Sequence, residues 1–358
     1  MPLEEQIKAR ARELGFDLVG IAGAEPSLFQ SEYRAWIERG FAGEMGYLAR
    51  NIERRLDPRE LLPDARSIIA VGMNYYADAE EGPGTPIVEP GQAVFARYAR
   101  GDDYHDVMTA RLKILLEFIK ERAGAEIEGR VYVDAGPVLE REVAQKAGIG
   151  WFGKNTMLIN SRRGSYFFLG EIVTNAALTP DSPAVGGCGT CRKCLDACPT
   201  NAIVAPYEID ARRCLSYLTI EQKGALPEEF RPALAEAGNR IYGCDICQEV
   251  CPFNQRRAEP TEEPAYQPRP VTKNPKLIDL LLMNEEEFRA KFKGSPVKRA
   301  KRRGLLRNVA VALAASENPE AEAALEQSAA NDPEPLAREH AAWALRQIRE
   351  RKTQDEEG

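Results

Sequence analysis

Hydrophobic and polar positions along the first half of the chain switch repeatedly between helical and strand-like spacing. Glu4 to Leu14 carries apolar residues at helical intervals and stops at Gly15, which predicts an amphipathic helix. The short apolar run Phe16 to Ala22 follows. Arg34 to Ala49 predicts a second helical stretch, broken at Gly40 and Gly43. Ser67 to Tyr75 reads as a strand, and Glu80 to Gly91, rich in Pro, Gly and Glu, as a loop. Tyr104 to Arg122 predicts a long helix with Val107, Leu112, Leu115, Leu116 and Ile119 on its apolar positions. Arg130 to Asp134 reads as a strand, Pro137 to Ala147 as a helix closed by Gly148, and Tyr166 to Asn175 as another strand. The pattern predicts an α+β domain over residues 1–180.

The second half is organised differently. A cysteine-rich module is expected over 181–258, followed by a Pro- and Glu-rich linker from Glu259 to Pro275. A helical domain is expected over 276–350. Within it Leu305 to Ala315, Pro319 to Ala330 and Pro335 to Arg349 predict helices joined by Asn-Pro and Asp-Pro turns. The segment containing Asp332, Pro333, Arg338, Ala341, Ala342, Ala344 and Leu345 resembles a HEAT-type repeat. One or two such units would cap another structure rather than build a solenoid. Residues 351–358 are expected to be a disordered tail.

Composition narrows the chemistry. At 358 residues with 44% hydrophobic content, the chain can bury large cores without disulfide staples. No stretch reaches the roughly 18 apolar residues of a membrane span. The start, Met1-Pro2-Leu3-Glu4-Glu5-Gln6, is acidic and amphipathic rather than signal-like, so a cytoplasmic location is expected. In that reducing setting, grouped cysteines imply metal or redox chemistry. A net charge of -7 argues against indiscriminate nucleic-acid coating but not against a local basic patch. The only histidines are His105 and His340, which excludes a multi-histidine metal site.

All eight cysteines lie between Cys188 and Cys251. Cys188, Cys191, Cys194 and Cys198 form C-x2-C-x2-C-x3-C followed by Pro199. This is the bacterial ferredoxin run, whose fourth cysteine ligates the other cluster. Cys244, Cys247 and Cys251, followed by Pro252, repeat the pattern, with Ile241 standing where a first cysteine is expected. Cys214 is the remaining candidate. The spacing therefore assigns Cys188, Cys191, Cys194 and Cys251 to one [4Fe-4S] cluster, and Cys198, Cys214, Cys244 and Cys247 to the other. A pair of zinc sites is the bland alternative. Zinc ribbons usually space two C-x2-C knuckles well apart, whereas a third close cysteine and two Cys-Pro pairs follow the ferredoxin pattern. Two such clusters pass electrons singly and do no two-electron organic chemistry alone, so the N-terminal domain is expected to hold the acceptor.

At these residues the chain resembles the epoxyqueuosine reductase family over nearly its whole length. The resemblance rests on Val133 to Arg141 (V-D-A-G-P-V-L-E-R), Gly150 to Thr156 (G-W-F-G-K-N-T) and Phe168 to Ile172 (F-L-G-E-I). Arg97 to His105 (R-Y-A-R-G-D-D-Y-H), the isolated Cys214 and the HEAT-like tail agree with it. It implies a nitroreductase-like domain that binds cobalamin beside the clusters, in a family related to the reductive dehalogenases. It also implies conversion of epoxyqueuosine to queuosine at the wobble position of the tRNA anticodon, the last step of that pathway. The reaction takes two electrons and two protons and releases water. The acid of the D-A-G-P motif, here Asp134, is implied as proton donor. The D-x-H-x-x-G segment of histidine-ligated cobalamin proteins is absent, in line with a family whose base-off cobalamin has no protein histidine ligand. A low-potential electron donor and a monomeric state are also expected.

Single residues can be weighed against plainer roles. Asp134 could cap a helix starting near Pro137. As an acid it would need a pKa raised by burial. Trp151 and Phe152 could wall a macrocycle or be ordinary core. Arg97, Lys154, Asn155, Ser216 and Asp245 are expected to contact the cofactor. From Lys291 to Arg307 the chain carries eight basic residues and no acid, Lys291, Lys293 and Arg307 among them. Lys298, Arg299, Lys301, Arg302 and Arg303 of this run are expected to contact tRNA, because like charges repel along a helix without counter-charges. Two other readings are a dehalogenase-like reductase of a small molecule and a non-catalytic electron carrier or scaffold. The first predicts a closed pocket and, in many members, an export signal; the second leaves the N-terminal domain without purpose.

Overall fold

The computed structural model describes residues 1–77, 82–86 and 89–357. Four antiparallel strands form the main sheet: β1 (Leu18–Gly23), β2 (Ser67–Asn74), β3 (Gly129–Tyr132) and β4 (Phe167–Thr174), in the spatial order β1-β2-β4-β3. The two-residue period of a strand sends alternate side chains of β2 to opposite faces. Ile69, Val71 and Met73 pack under helices α1 (Leu3–Glu13) and α2 (Tyr104–Ala123). Ile68 and Ala70 pack on the other face against helix α3 (Glu140–Lys146). The sheet is therefore covered on both sides, and its central strands are buried except at Leu169.

Most expected elements form within one to three residues of their expected bounds. Of the apolar positions expected in α2, Leu112, Leu115, Leu116 and Ile119 are buried, whereas Val107 is only half-buried. The helix expected from Pro137 starts three residues later, at Glu140. In the expected loop Glu80 to Gly91, residues 80, 81, 87 and 88 lie outside the described set.

The C-terminal helices are α4 (Lys301–Leu313), α5 (Pro319–Asn331) and α6 (Pro335–Glu357). The tail expected to be disordered from residue 351 instead continues α6 to Glu357. Leu305, Val309 and Leu313 of α4 share one core with Leu215, Leu218, Ile241 and Tyr242 of the cysteine segment. The expected linker is also tied down. Tyr266 is buried against Phe168, and the Thr272 hydroxyl donates to the carbonyl of Arg100. The apolar face of α4 thus finds its cover across the expected linker. No described helix is long and apolar enough to cross a membrane.

Candidate active site and paired thiol sets

β3 ends at Tyr132, and the chain turns sharply, with the amide of Ala135 donating to the carbonyl of Val133. Asp134 sits in this turn with φ 54°, a left-handed conformation that costs a non-glycine residue roughly 1–3 kcal/mol. Its amide donates to the Glu140 carboxyl at 2.6 Å. Asp134 caps no helix: α3 begins six residues later behind Leu139 and has no side-chain cap. The Asp134 side chain is 64% exposed, and its Oδ2 lies 3.4 Å from His105 Nε2.

His105 was missed as a site residue by sequence reasoning. It stands in the first turn of α2, whose N-cap is Asp103. Asp103 Oδ1 lies 2.7 Å from His105 Nδ1, and its Oδ2 lies 2.9 Å from Lys298 Nζ. The Tyr104 ring stacks between the imidazole and Phe168, with centroids 4.1 Å away on each side. The result is a row of alternating charge: Lys298, Asp103, His105, Asp134. The usable signal was one of only two histidines, two residues after a helix-capping aspartate.

Burial would lower the His105 pKa, but its two carboxylate neighbours outweigh it and raise it to about 9. Burial would raise Asp103, yet His105 and Lys298 hold it well below the carboxylate range. The same contest decides Asp134. Burial pushes its carboxyl up, but the bonds from His105 and Tyr104 and the Arg299 charge pull it below its ordinary value. The raised pKa expected for this acid is therefore reversed, because an imidazolium faces it.

The cysteines fall into two neighbourhoods. Burial raises the Cys194 thiol to about 11, and the thiols around it are Cys188, Cys251 and Cys191. Cys251 likewise faces Cys188 and Cys191. It packs with Cys188 against Trp151, whose ring meets Phe253 edge-on at 5.0 Å. Trp151 is thus the buried wall of this thiol set. In the second neighbourhood, burial raises the Cys244 thiol beside Cys214, and Cys247 sees both. Cys214, also pushed up by burial, faces Cys198. Cys247 also feels Cys194, so the two sets adjoin.

The residues expected to hold a cofactor have protein partners. Lys154 Nζ donates to the carbonyls of Gly189 and Cys191, clamping the first cysteine loop. Asn155 donates to the Cys247 carbonyl. Asp245 accepts from the Arg97 amide at 2.7 Å and from Gln248. The Arg97 guanidinium is 1% exposed and pairs with Glu249, which also binds Arg240. Arg97 and Asp245 are thus both buried on protein partners. Ser216 is half-buried, and its amide points at the Cys214 sulfur.

Tertiary structure also rewrites the basic run. Lys298 meets Asp103, and Arg299 makes a two-pronged pair with Glu221. Arg302 is buried, with its guanidinium on both oxygens of Asp332 and on the Met283 carbonyl. It faces the core and is not a surface contact, contrary to expectation. Arg307 is fully buried on the carbonyls of Leu218, Gln222 and Gly224. Lys298, Arg299, Lys301 and Arg303 remain exposed.

Comparisons with known proteins agree with this layout. The family model described as "Epoxyqueuosine reductase QueG, DUF1730" matches residues 55–135. The model described as "4Fe-4S double cluster binding domain" matches 187–254, a range that contains all eight cysteines. An epoxyqueuosine reductase from Pseudomonas aeruginosa is 44% identical over 348 residues, covering 96% of this chain and 94% of the relative. An epoxyqueuosine reductase solved with an epoxyqueuosine-modified tRNA-Tyr stem loop superposes with a TM-score of 0.88 at 36% identity, covering 97% and 90% of the two chains. The enzyme from Streptococcus thermophilus gives 0.88 at 31% identity, covering 98% and 91%. With this identity sustained over almost its full length, the chain belongs to the epoxyqueuosine reductase family.

Proposed function

We propose that this protein reduces epoxyqueuosine to queuosine at the wobble position of tRNA, the final step of queuosine biosynthesis. It is an oxidoreductase, and the net reaction consumes two electrons and two protons and releases the epoxide oxygen as water. The observation that carries the reading is the likeness, over 97% of this chain, to a reductase solved with the modified stem loop.

We assign one [4Fe-4S] cluster to Cys188, Cys191, Cys194 and Cys251 and the other to Cys198, Cys214, Cys244 and Cys247. The fit is chemical. Thiols such as Cys194 and Cys244, which burial raises beside other thiols of their sets, ionise poorly by themselves, and iron offsets the charge of four thiolates. Cobalamin is the acceptor expected beside Asp134, and the donor set fits one without a histidine ligand. His105 is held between Asp103 and Asp134, and His340 is buried between the Leu226 amide and the Leu336 carbonyl. When bound, the clusters supply single electrons and the base-off cobalamin a low-potential reductant for the substrate.

The chain's own residues manage the proton. With a pKa near 9, His105 carries one at neutral pH. The proton is shared toward Asp134 Oδ2, and the exposed Asp134 carboxyl presents it to the leaving oxygen. Lys298, Arg299, Lys301 and Arg303 are proposed to meet tRNA phosphates; Arg302 is not. We read residues 1–180 as a nitroreductase-like cobalamin domain, 181–258 as the two-cluster module and 276–350 as a HEAT-like domain. The proposed setting is a cytoplasmic monomer served by a low-potential electron donor.

The test is anaerobic turnover of protein with reconstituted clusters and cobalamin, given epoxyqueuosine tRNA and a low-potential reductant, with nucleosides read by mass spectrometry. Queuosine from wild type but not from Asp134→Asn supports both the reaction and the acid. Queuosine from both removes Asp134 from its role. No queuosine from fully loaded protein sinks the tRNA reading.

A further inference from the structure

Behind Asp134 lies a carboxyl pair that the scheme above does not use. Glu171 is in the middle of β4, opposite Tyr132 of β3, and is 0% exposed. Among the described residues no N–H or hydroxyl reaches either of its carboxyl oxygens. Its polar neighbour is the Glu140 carboxyl, which also accepts the Asp134 amide at 2.6 Å. Three acids thus stand in a row, Asp134, Glu140 and Glu171, from the exposed turn to the core of the sheet.

Two carboxyls in contact inside a protein cannot both be ionised without severe repulsion. One proton between them resolves this: Glu171 donates it, and Glu140 accepts. Little else is there to neutralise them. Of the strands packed against α3, β1, β2 and Trp151–Phe152 carry no ionisable side chain, and β4 carries Glu171 alone. Arg141 is the cation that acts on Glu140, and the Arg55 guanidinium is directed at the carbonyls of Gly136 and Val138. Glu142, the other acid of α3, is taken up by Ser27, the Leu28 amide and Lys146.

We propose that Glu140, backed by a proton shared with Glu171, is the positioning residue for Asp134: its carboxylate holds the Asp134 amide and so keeps that residue in the left-handed turn that aims its carboxylate at His105. The inference rests on the proposed acid role of Asp134. Asp134 would otherwise relax to an ordinary backbone conformation and swing its side chain away from the imidazole. Burial, then the Asp134 charge, raises Glu140 to about 7, while burial and Glu140 raise Glu171 further. Such values belong to the pair rather than to one residue. Above neutrality the pair carries one proton and Glu140 grips the amide as an anion. As pH falls through 7 it gains a second proton.

The molecule offers a direct readout, because it has only two histidines and burial lowers His340 to about 4. Histidine NMR titrations of the protein should show His105 near 9 in wild type and lower in Asp134→Asn. In Glu140→Ala His105 should titrate as low as in Asp134→Asn, because the carboxylate has moved off. In Glu140→Gln the amide oxygen still accepts the Asp134 N–H, so the His105 midpoint should stay near the wild-type value. In turnover, Glu140→Ala should lose about 10- to 100-fold in kcat with KM for tRNA unchanged. Glu140→Gln should keep most activity. An unmoved His105 midpoint and wild-type kcat in Glu140→Ala would overturn the proposal. Wild-type protein that makes no queuosine fails the functional reading instead, and the NMR comparison still judges the latch.

Discussion

His105 Nε2 stands 3.4 Å from Asp134 Oδ2, although the two residues are 29 positions apart and belong to different elements. One is fixed by the N-cap of a 20-residue helix, the other by a strained turn at a strand end. The pair is an imidazolium facing a carboxylate, not a buried neutral acid.

That charge state predicts the alkaline side of the pH profile. The folded-state pKa of His105, about 9, lies above the ordinary 6.5. Stability from its pairing is complete below 6.5 and is lost as pH rises through 9. Turnover should fall over the same upper range. His105→Gln should lower kcat by about 100-fold and abolish the alkaline limb. A limb that persists in this variant assigns the proton to another group.

The basic run should split into two classes. Lys301→Ala and Arg303→Ala should leave the melting temperature unchanged and weaken tRNA binding, each reducing the salt slope by about one. Arg302→Ala should instead cost about 3–5 kcal/mol of stability, because it strands Asp332, only 6% exposed, without its partner. Binding measured across salt concentrations and calorimetric melting separate the two. A stable Arg302→Ala protein with weak tRNA binding would return Arg302 to the interface.

Lys154 should matter through the first cysteine loop. Its ammonium reaches two carbonyls of that loop, at 2.7 and 2.9 Å. Lys154→Met keeps the length but removes the donors. Reconstituted protein should then lose its iron-sulfur absorbance faster under a chelator, with the fold intact by circular dichroism. Equal loss rates would leave the lysine a role outside the loop.

Cys214 tests the crossed ligand assignment. Cys214→Ala should cut iron from about eight to about four atoms per chain and leave one electron paramagnetic resonance signal. Unchanged iron content would mean that another residue completes the second set.

Short-range features were readable in one dimension. Cysteines three and four positions apart lie close wherever the chain folds, so the two close groups of thiols were legible from spacing. The helical spacing of α2 likewise announced most of its apolar face. Asp134 stood out through the D-A-G-P motif of the family that the chain resembles.

Charge partners were not readable in this way, because Coulomb interactions act through space rather than along the chain. The Lys291 to Arg307 stretch has no acid of its own, yet Asp103, Glu221 and Asp332 pair with Lys298, Arg299 and Arg302 from distant elements. Arg97 likewise meets the buried Glu249 carboxylate 152 positions away, and Asp245 accepts from the Arg97 amide 148 positions away. The protonation of the acid site was decided last of all. Sequence alone determined that a carboxylic acid stands at residue 134; only the folded chain placed an imidazole before it and a carboxyl pair behind it, and the balance of burial against those charges sets where the proton rests.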